Sequence, residues 1–250
     1  MSEDVKPAVA KTIADRTYQH IRRDIISGAL APGTKLGMEM LSKRYDVGLS
    51  PLREALVRLT GDALAVVEGQ RGFWVSQISP SELQDMSDAR MLIESQALAL
   101  AIERGGPEWE QAVTRAYEEL SALERQLGHG DGATIARWEN ANRRFHEALV
   151  SACGSPWLIR LRNMLHQHAE RYRMISLSQT MIERDVHDEH EAIFDAALAR
   201  KTLRACRLTE VHLQRTAEVV RAALERPGEA VAAKRRRRAG AKPGKAASRR

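Results

Sequence analysis

The sequence predicts a mainly α chain. A small N-terminal helical head closed by a β-hairpin is followed by an antiparallel bundle of about six helices and a disordered basic C-terminal tail. Three observations predict it. Apolar residues recur at helical spacing from Ile13 to Leu224, broken by short links that carry Gly or Pro. Two runs depart from that period, Ala65-Val66-Val67-Glu68 and Phe73-Trp74-Val75-Ser76; they flank Gly69-Gln70-Arg71-Gly72 in the pattern of a hairpin. After Pro227 the composition becomes Ala, Gly, Lys and Arg, which cannot bury a core. The domains expected are residues 10–78, 80–226 and 227–250.

The head is read in order. Residues 1–10 lack periodicity and are expected to be disordered. A first helix runs from Ile13 to Ser27, with Ile13, Tyr18, Ile21, Ile25 and Ile26 as its apolar stripe. Gly28 ends it, and Ala31-Pro32-Gly33 forms a turn. A second helix spans about Met38 to Tyr45, and Asp46-Val47-Gly48 turns into a third. There Ser50 is expected as the N-cap and Pro51 as the first helical residue. Leu52, Leu56 and Leu59 face inward, whereas Arg53 and Val57 lie off that stripe. Two short helices joined by a Gly-bearing turn are a helix-turn-helix, and the hairpin behind them makes a winged helix. The third helix has the outward N-terminal side chains that a recognition helix in the DNA major groove needs. Glycines around Arg71 let the hairpin tip approach a phosphate closely; a solvated turn arginine is the alternative there.

Ile78-Ser79-Pro80 marks the domain boundary, with Ser79 or Ser81 available as the cap. Helices are expected at about 80–104, 107–128, 131–152, 155–177, 180–199 and 201–225. Their links are short, so neighbours run antiparallel.

Composition bounds the partners. The chain has 250 residues, enough to bury a sizeable core. Its net charge is +6, but residues 234–250 hold nine basic side chains and no acidic one, so the rest carries −3. That tail is either an electrostatic tether to nucleic acid or a solubilising terminus. Cys153 and Cys206 sit within helical patterns and read as small thiols in a reducing compartment. No apolar run is long enough for a bilayer and no signal-peptide pattern opens the chain, so a soluble cytoplasmic protein is expected.

The bundle's chemistry lies in polar residues on apolar stripes. One stripe is Ile135, Trp138, Asn142, Phe145 and Leu149, with His146 four residues after Asn142. A second is Ile182, Val186, His190, Ile193 and Ala197; a third is Ala205, Leu208, His212, Thr216 and Val219. Buried polar groups cost free energy unless paired. One divalent ion (Zn, Ni or Mn) would pair Asn142, His146, His190 and His212 together. The alternative is that each histidine bonds a backbone carbonyl or a carboxylate.

Both halves resemble the GntR family of bacterial transcription regulators, FadR subfamily. The family's recognition-helix pattern is roughly V-S-R-T-P-V-R-E-A-L; this chain has V-G-L-S-P-L-R-E-A-L, then R-G-F-W-V in the wing. Pro51, Arg53, Glu54, Ala55, Leu56 and Gly72 match. Gly48-Leu49 replaces the usual Ser-Arg, and Glu39 stands where an arginine is common in the preceding helix. Those arginines contact DNA in family members, so a different operator is expected. Lys43, Arg44, Ser50, Arg53, Arg71 and Gly72 remain as the DNA-contacting set. The bundle resembles the subfamily's FCD ligand-binding domain, with R-M-L-I-E at 90–94, N-R-R-F-H at 142–146, H-E-A-I-F-D-A at 190–196, and His212 at the family's spacing of 22 from His190. Asn142 departs from the family's Asp, which removes one negative charge from the site.

The resemblance implies a metal with open coordination positions that a small carboxylate effector fills. Arg90 could clamp that carboxylate, or else pair with Glu94 four residues on. His168, on a stripe with Leu158, Leu161, Leu165 and Tyr172, is expected in the pocket, and His166 and His187 fit less well. The function expected is a DNA-binding regulator, a homodimeric repressor on a near-palindromic operator, and not an enzyme. The rivals are a sensor of the metal itself and a metal-dependent helical hydrolase; no H-E-x-x-H supports the last.

Overall fold

A computed structural model describes residues 12–126, 132–176 and 186–225. The chain divides into two compact units. One holds the described residues up to Ile78 together with Glu170–Ile175; the other holds those of Ser79–Ala169 and from Ser176 onward. The basic tail, the N-terminal ten residues, and the stretch 180–185 at which a helix is expected to open lie outside the described residues.

The first unit contains α1 (Ile13–Ile26), α2 (Met38–Tyr45), α3 (Leu49–Gly61), β1 (Ala65–Val67) and β2 (Phe73–Val75). A reciprocal capping box starts α1: the Asp15 amide donates to the Thr12 hydroxyl, and Asp15 accepts from the Thr12 amide. Ile13 does not join the core, because at the first helical position it is 56% exposed. Tyr18, Ile21, Ile25, Leu41, Leu52, Leu56, Leu59, Leu64 and Val75 form one buried cluster.

The start of α3 differs from the sequence reading. Gly48, with extended ψ of 159°, is the N-cap, and no side chain caps the helix. Ser50 and Pro51 are therefore inside the first turn. Pro51 is still tolerated there, because the first four amides of a helix have no intrahelical acceptor. The Ser50 side chain is left exposed instead of being spent on a cap.

The hairpin is antiparallel, pairing Ala65 with Val75, Val66 with Trp74 and Val67 with Phe73. Each strand is one residue shorter than expected: β1 stops before Glu68, where a 3-10 turn at Gly69–Arg71 forms the tip, and β2 stops before Ser76 at the open end. Gly72 has φ of 97°, a conformation that strains any residue with a Cβ.

The second unit contains α4 (Pro80–Arg104), α5 (Pro107–Glu124), α6 (Gly132–Val150), α7 (Pro156–Ser176) apart from its residues Glu170–Ile175, α8 (Val186–Leu198) and α9 (Thr202–Glu225). Ser79 caps α4 by accepting from the Glu82 amide, and Pro80 takes the first helical position. α5 ends at Glu124, short of the expected 128. Helix α4 packs along α9, α5 against α6 and α8, and α8 against α9. The core joins Ala97 and Leu98 of α4, Trp109 and Val113 of α5, Phe145 and Leu149 of α6, Ile193 and Ala197 of α8, and Ala205 of α9. Trp109 fixes α5 on α6 by donating its indole N–H to the carbonyls of Ala148 and Leu149, at 3.1 and 3.2 Å.

Candidate metal centre and nucleic-acid interface

On the first unit, Lys43, Arg44, Ser50, Arg53 and Arg71 are all exposed. Arg44 is the one already engaged: its Nη2 lies 2.5 Å from Asp24, whose carboxylate also accepts from Tyr45 at 2.7 Å. Such an exposed pair is weak and exchangeable for a phosphate. Lys43, Arg53 and Arg71 have no ion-pair partner among the described residues. Leu49 and Val57 are each 55% exposed, so α3 also presents two apolar side chains. A helix-turn-helix with an exposed cationic recognition helix and a wing is built to contact duplex DNA.

On the second unit, α6 places Asn142 and His146 one turn apart on its buried face. α8 supplies His190 and α9 supplies His212. The three imidazoles converge, with ring centroids 5.5 Å apart for His146–His190, 5.2 Å for His146–His212 and 4.7 Å for His190–His212. One ligand atom from each lies within 4.8 Å of the others, and all three rings are buried.

Polar satisfaction at this cluster is incomplete. The Asn142 Oδ1, both nitrogens of His146 and the Nε2 of His190 are buried without a hydrogen-bond partner. The Nδ1 atoms of His190 and His212 are paired. His190 Nδ1 lies 2.6 Å from Glu124, and His212 Nδ1 lies 2.8 Å from Glu189. Burial alone would raise the Glu124 carboxyl, but the hydrogen bond from His190, with those from His187 and Trp138, holds it below the usual carboxylate range. His146 is pushed well below the ordinary imidazole value, first by burial and then by His212, His190, Arg90 and Arg162, so it is neutral and able to donate a lone pair. Three converging imidazoles form a donor set that fits a divalent cation, with the buried Asn142 one turn from His146 on the same helix face.

A second buried cluster adjoins it. Arg90 is paired with Glu94, through Nε at 3.0 Å and Nη2 at 2.9 Å, and its Nη2 lies 3.1 Å from His166 Nδ1. The pairing of Arg90 with Glu94 that the sequence leaves open is made, and it is buried. Arg162, wholly buried, brings its Nε to 3.3 Å from the same Glu94 oxygen, an ionic contact without hydrogen-bond alignment. One carboxylate thus faces two guanidiniums, and Glu94 stays below the usual range although burial opposes this, because Arg162 and Arg90 outweigh it.

His166, which the sequence ranks below His168, is the α7 histidine near the triad, its ring 6.5 Å from that of His146. His168 is buried too, but two residues on a helix are about 200° apart, so it does not share that face. The stripe through Leu161 is misleading: Leu161 is 38% exposed, and Arg162 and His166 hold the inner positions. Sequence reasoning misses Glu124, Arg162 and Glu189 altogether, and it finds Glu94 only as a partner for Arg90. The i,i+4 spacing of Arg162 and His166 is their one local signal.

A winged helix-turn-helix followed by an all-helical domain defines a class of DNA-binding transcription regulators. Comparison with known proteins places the chain within it. Residues 13–75 match the family described as "Bacterial regulatory proteins, gntR family", and residues 85–215 match the FCD domain. The chain is 38% identical over 211 residues to the HTH-type transcriptional repressor GlaR of Escherichia coli (strain K12), covering 83% of this chain and 95% of that protein. It is 37% identical over 214 residues to the uncharacterized HTH-type transcriptional regulator BphR of Paraburkholderia xenovorans (strain LB400), covering 86% and 87%. The solved structure of E. coli McbR/YncC shares the fold, with a TM-score of 0.68 at 20% identity over 84% of this chain and 97% of that one. The chain belongs to the GntR family and carries an FCD domain; it is a transcription regulator, as the FadR-subfamily motifs implied, and these relatives are regulators rather than enzymes. No helix among the described residues is long and apolar enough to cross a membrane.

Proposed function

We propose that this regulator is a homodimeric repressor whose operator binding is released by a small carboxylate, bound beside a divalent metal in the FCD domain. The observation that carries the reading is the set of buried, unpartnered polar atoms on Asn142, His146 and His190 beside His212. Leaving each such atom unpaired costs about 1–3 kcal/mol, and one cation would take one nitrogen of His146 together with the His190 Nε2 and the Asn142 oxygen. With an amide where the family has a carboxylate, imidazole dominates the donor set, which favours Zn²⁺ or Ni²⁺ over Mn²⁺.

Arg90 and Arg162 both face Glu94 near the triad, and buried guanidiniums of this kind are the groups that would bind an anionic effector. His166 joins this side of the pocket in place of His168. Two heads in a dimer read half-sites about one helical turn apart, and the effector acts by binding one arrangement of the heads better than the other. The repressor direction rests on the printed name of the E. coli relative.

The test is operator binding by fluorescence anisotropy. Chelated, Zn²⁺-loaded and Ni²⁺-loaded protein are each titrated with a panel of small mono- and dicarboxylates. The expected result is release by a carboxylate only from metal-loaded protein. Release by metal alone favours the metal as the signal. Release of chelated and loaded protein at equal carboxylate concentration removes the metal from the account.

A further inference from the structure

We infer that Glu124 and Glu189 are positioning residues: each takes the Nδ1 proton of one histidine, His190 and His212 respectively, and thereby commits that ring's Nε2 to the ion. The inference rests on the metal-binding reading above and deepens it.

Neutral imidazole has one N–H and one lone pair, so occupying Nδ1–H with a carboxylate decides which nitrogen can coordinate. Glu124 sits at the last position of α5 and reaches His190 on α8 at 2.6 Å. Glu189, on α8 itself, reaches across to His212 on α9 at 2.8 Å. Each carboxylate therefore belongs to a different helix from the histidine it holds, and the two contacts tie α5, α8 and α9 around one point.

Neither carboxylate is left over for direct coordination. Glu124 uses Oε1 on His190 and on the Trp138 indole at 3.4 Å, and Oε2 on His187 at 3.1 Å. Glu189 gives its other oxygen to Arg215 at 3.0 Å. His190 Nε2 is left buried and without a partner, as a nitrogen committed to an ion would be. His146 differs, because no hydrogen bond selects between its nitrogens. Asn142 contributes no charge, so the anions that balance a dication stand behind the imidazoles rather than in the donor set.

The experiment uses the full chain as wild type, Glu124→Gln and Glu189→Gln, with Zn²⁺ as the probe. Affinity is read by competition with a chromophoric chelator. Histidine tautomers are read by long-range ¹H–¹⁵N correlation in the metal-free protein. Wild type is expected to show His190 and His212 as Nδ1–H tautomers. Each Gln variant should bind Zn²⁺ about 10- to 100-fold more weakly, with loss of the single-tautomer signature at its own histidine only. His187→Ala, which removes the other histidine held by Glu124, should leave the His190 tautomer unchanged.

A purely structural carboxylate would lower the melting temperature without moving the tautomer, and that result overturns the inference. So does an Nε2–H tautomer for His190 in the wild type, which needs no variant to fold. A wild-type chain that shows the Nδ1–H tautomers yet takes up no Zn²⁺ overturns the metal reading instead.

Discussion

At the scale of single residues, His146 carries the most revealing burden. It is 1% exposed and both of its ring nitrogens lack hydrogen-bond partners. In the metal-free protein that arrangement is a cost. His146→Leu is therefore expected to stabilise the metal-free protein by about 1–3 kcal/mol per unpaired group removed, seen as a higher metal-free melting temperature, and to abolish any melting-temperature rise on adding Zn²⁺. Differential scanning calorimetry with and without Zn²⁺ checks both halves. Glu94 behaves oppositely. Its one charge faces Arg90 and Arg162 in a buried site, so Glu94→Gln removes the carboxylate that pairs with both guanidiniums. Urea unfolding should show a loss of about 3–5 kcal/mol. Leu49 belongs to the DNA face. It is 55% exposed in the first turn of α3, where it suits the methyl group of thymine better than guanine. Leu49→Arg should shift a selected operator towards G at one position per half-site, worth about 1–3 kcal/mol of discrimination; a randomised-site selection reads it.

At the scale of elements, α1 shows how local signals set a helix. Asp15 accepts from Thr12 and is paired with Arg58 at 2.5 Å, and the hydrogen bond from Arg58, then those from Thr12, hold its carboxyl down at about 2. A group depressed in the folded state adds stability above its unfolded value near 3.8, and that contribution fades as pH falls towards 2. Asp15→Asn should flatten the acid limb of a thermal-stability profile between those values. Local chemistry makes α1, α2 and the Ser79–Pro80 start of α4 legible, because their caps and stripes lie within a few residues of each other. It fails at α3 and α7. Ser50 reads as a cap, which would start the helix at Pro51. Gly48 adopts the extended backbone first, so α3 begins at Leu49. In α7 the apolar residues suggest one face, but Arg162 and His166 occupy the buried one. Hydrophobic periodicity cannot reveal a helix whose inner face is charged, since its partners are on other helices.

At the scale of the whole molecule, the regulator combines a DNA-binding head with a helical domain and a run of nine cations in residues 234–250. Those cations are expected to attract phosphate without reading sequence. Truncation after residue 226 should make log K less steep against log salt, by about 0.9 for each phosphate that the tail neutralises. The ranking of operator variants should stay unchanged. An equal slope for the truncated and full chains would make the tail a solubilising terminus.

By itself the sequence determined the winged head, the helical domain, the family, and the presence of Asn142, His146, His190 and His212 on inward stripes. The family follows from the resemblance of its motifs; the others follow from spacing along one chain, because helical and strand periods repeat over a few residues. Tertiary structure alone decided what those side chains meet. Glu124 lies 66 residues from His190 and Glu189 lies 23 from His212, and Arg90 meets His166 across 76. Charge pairing and imidazole orientation depend on distances of a few ångströms between helices, and no period within a helix encodes them.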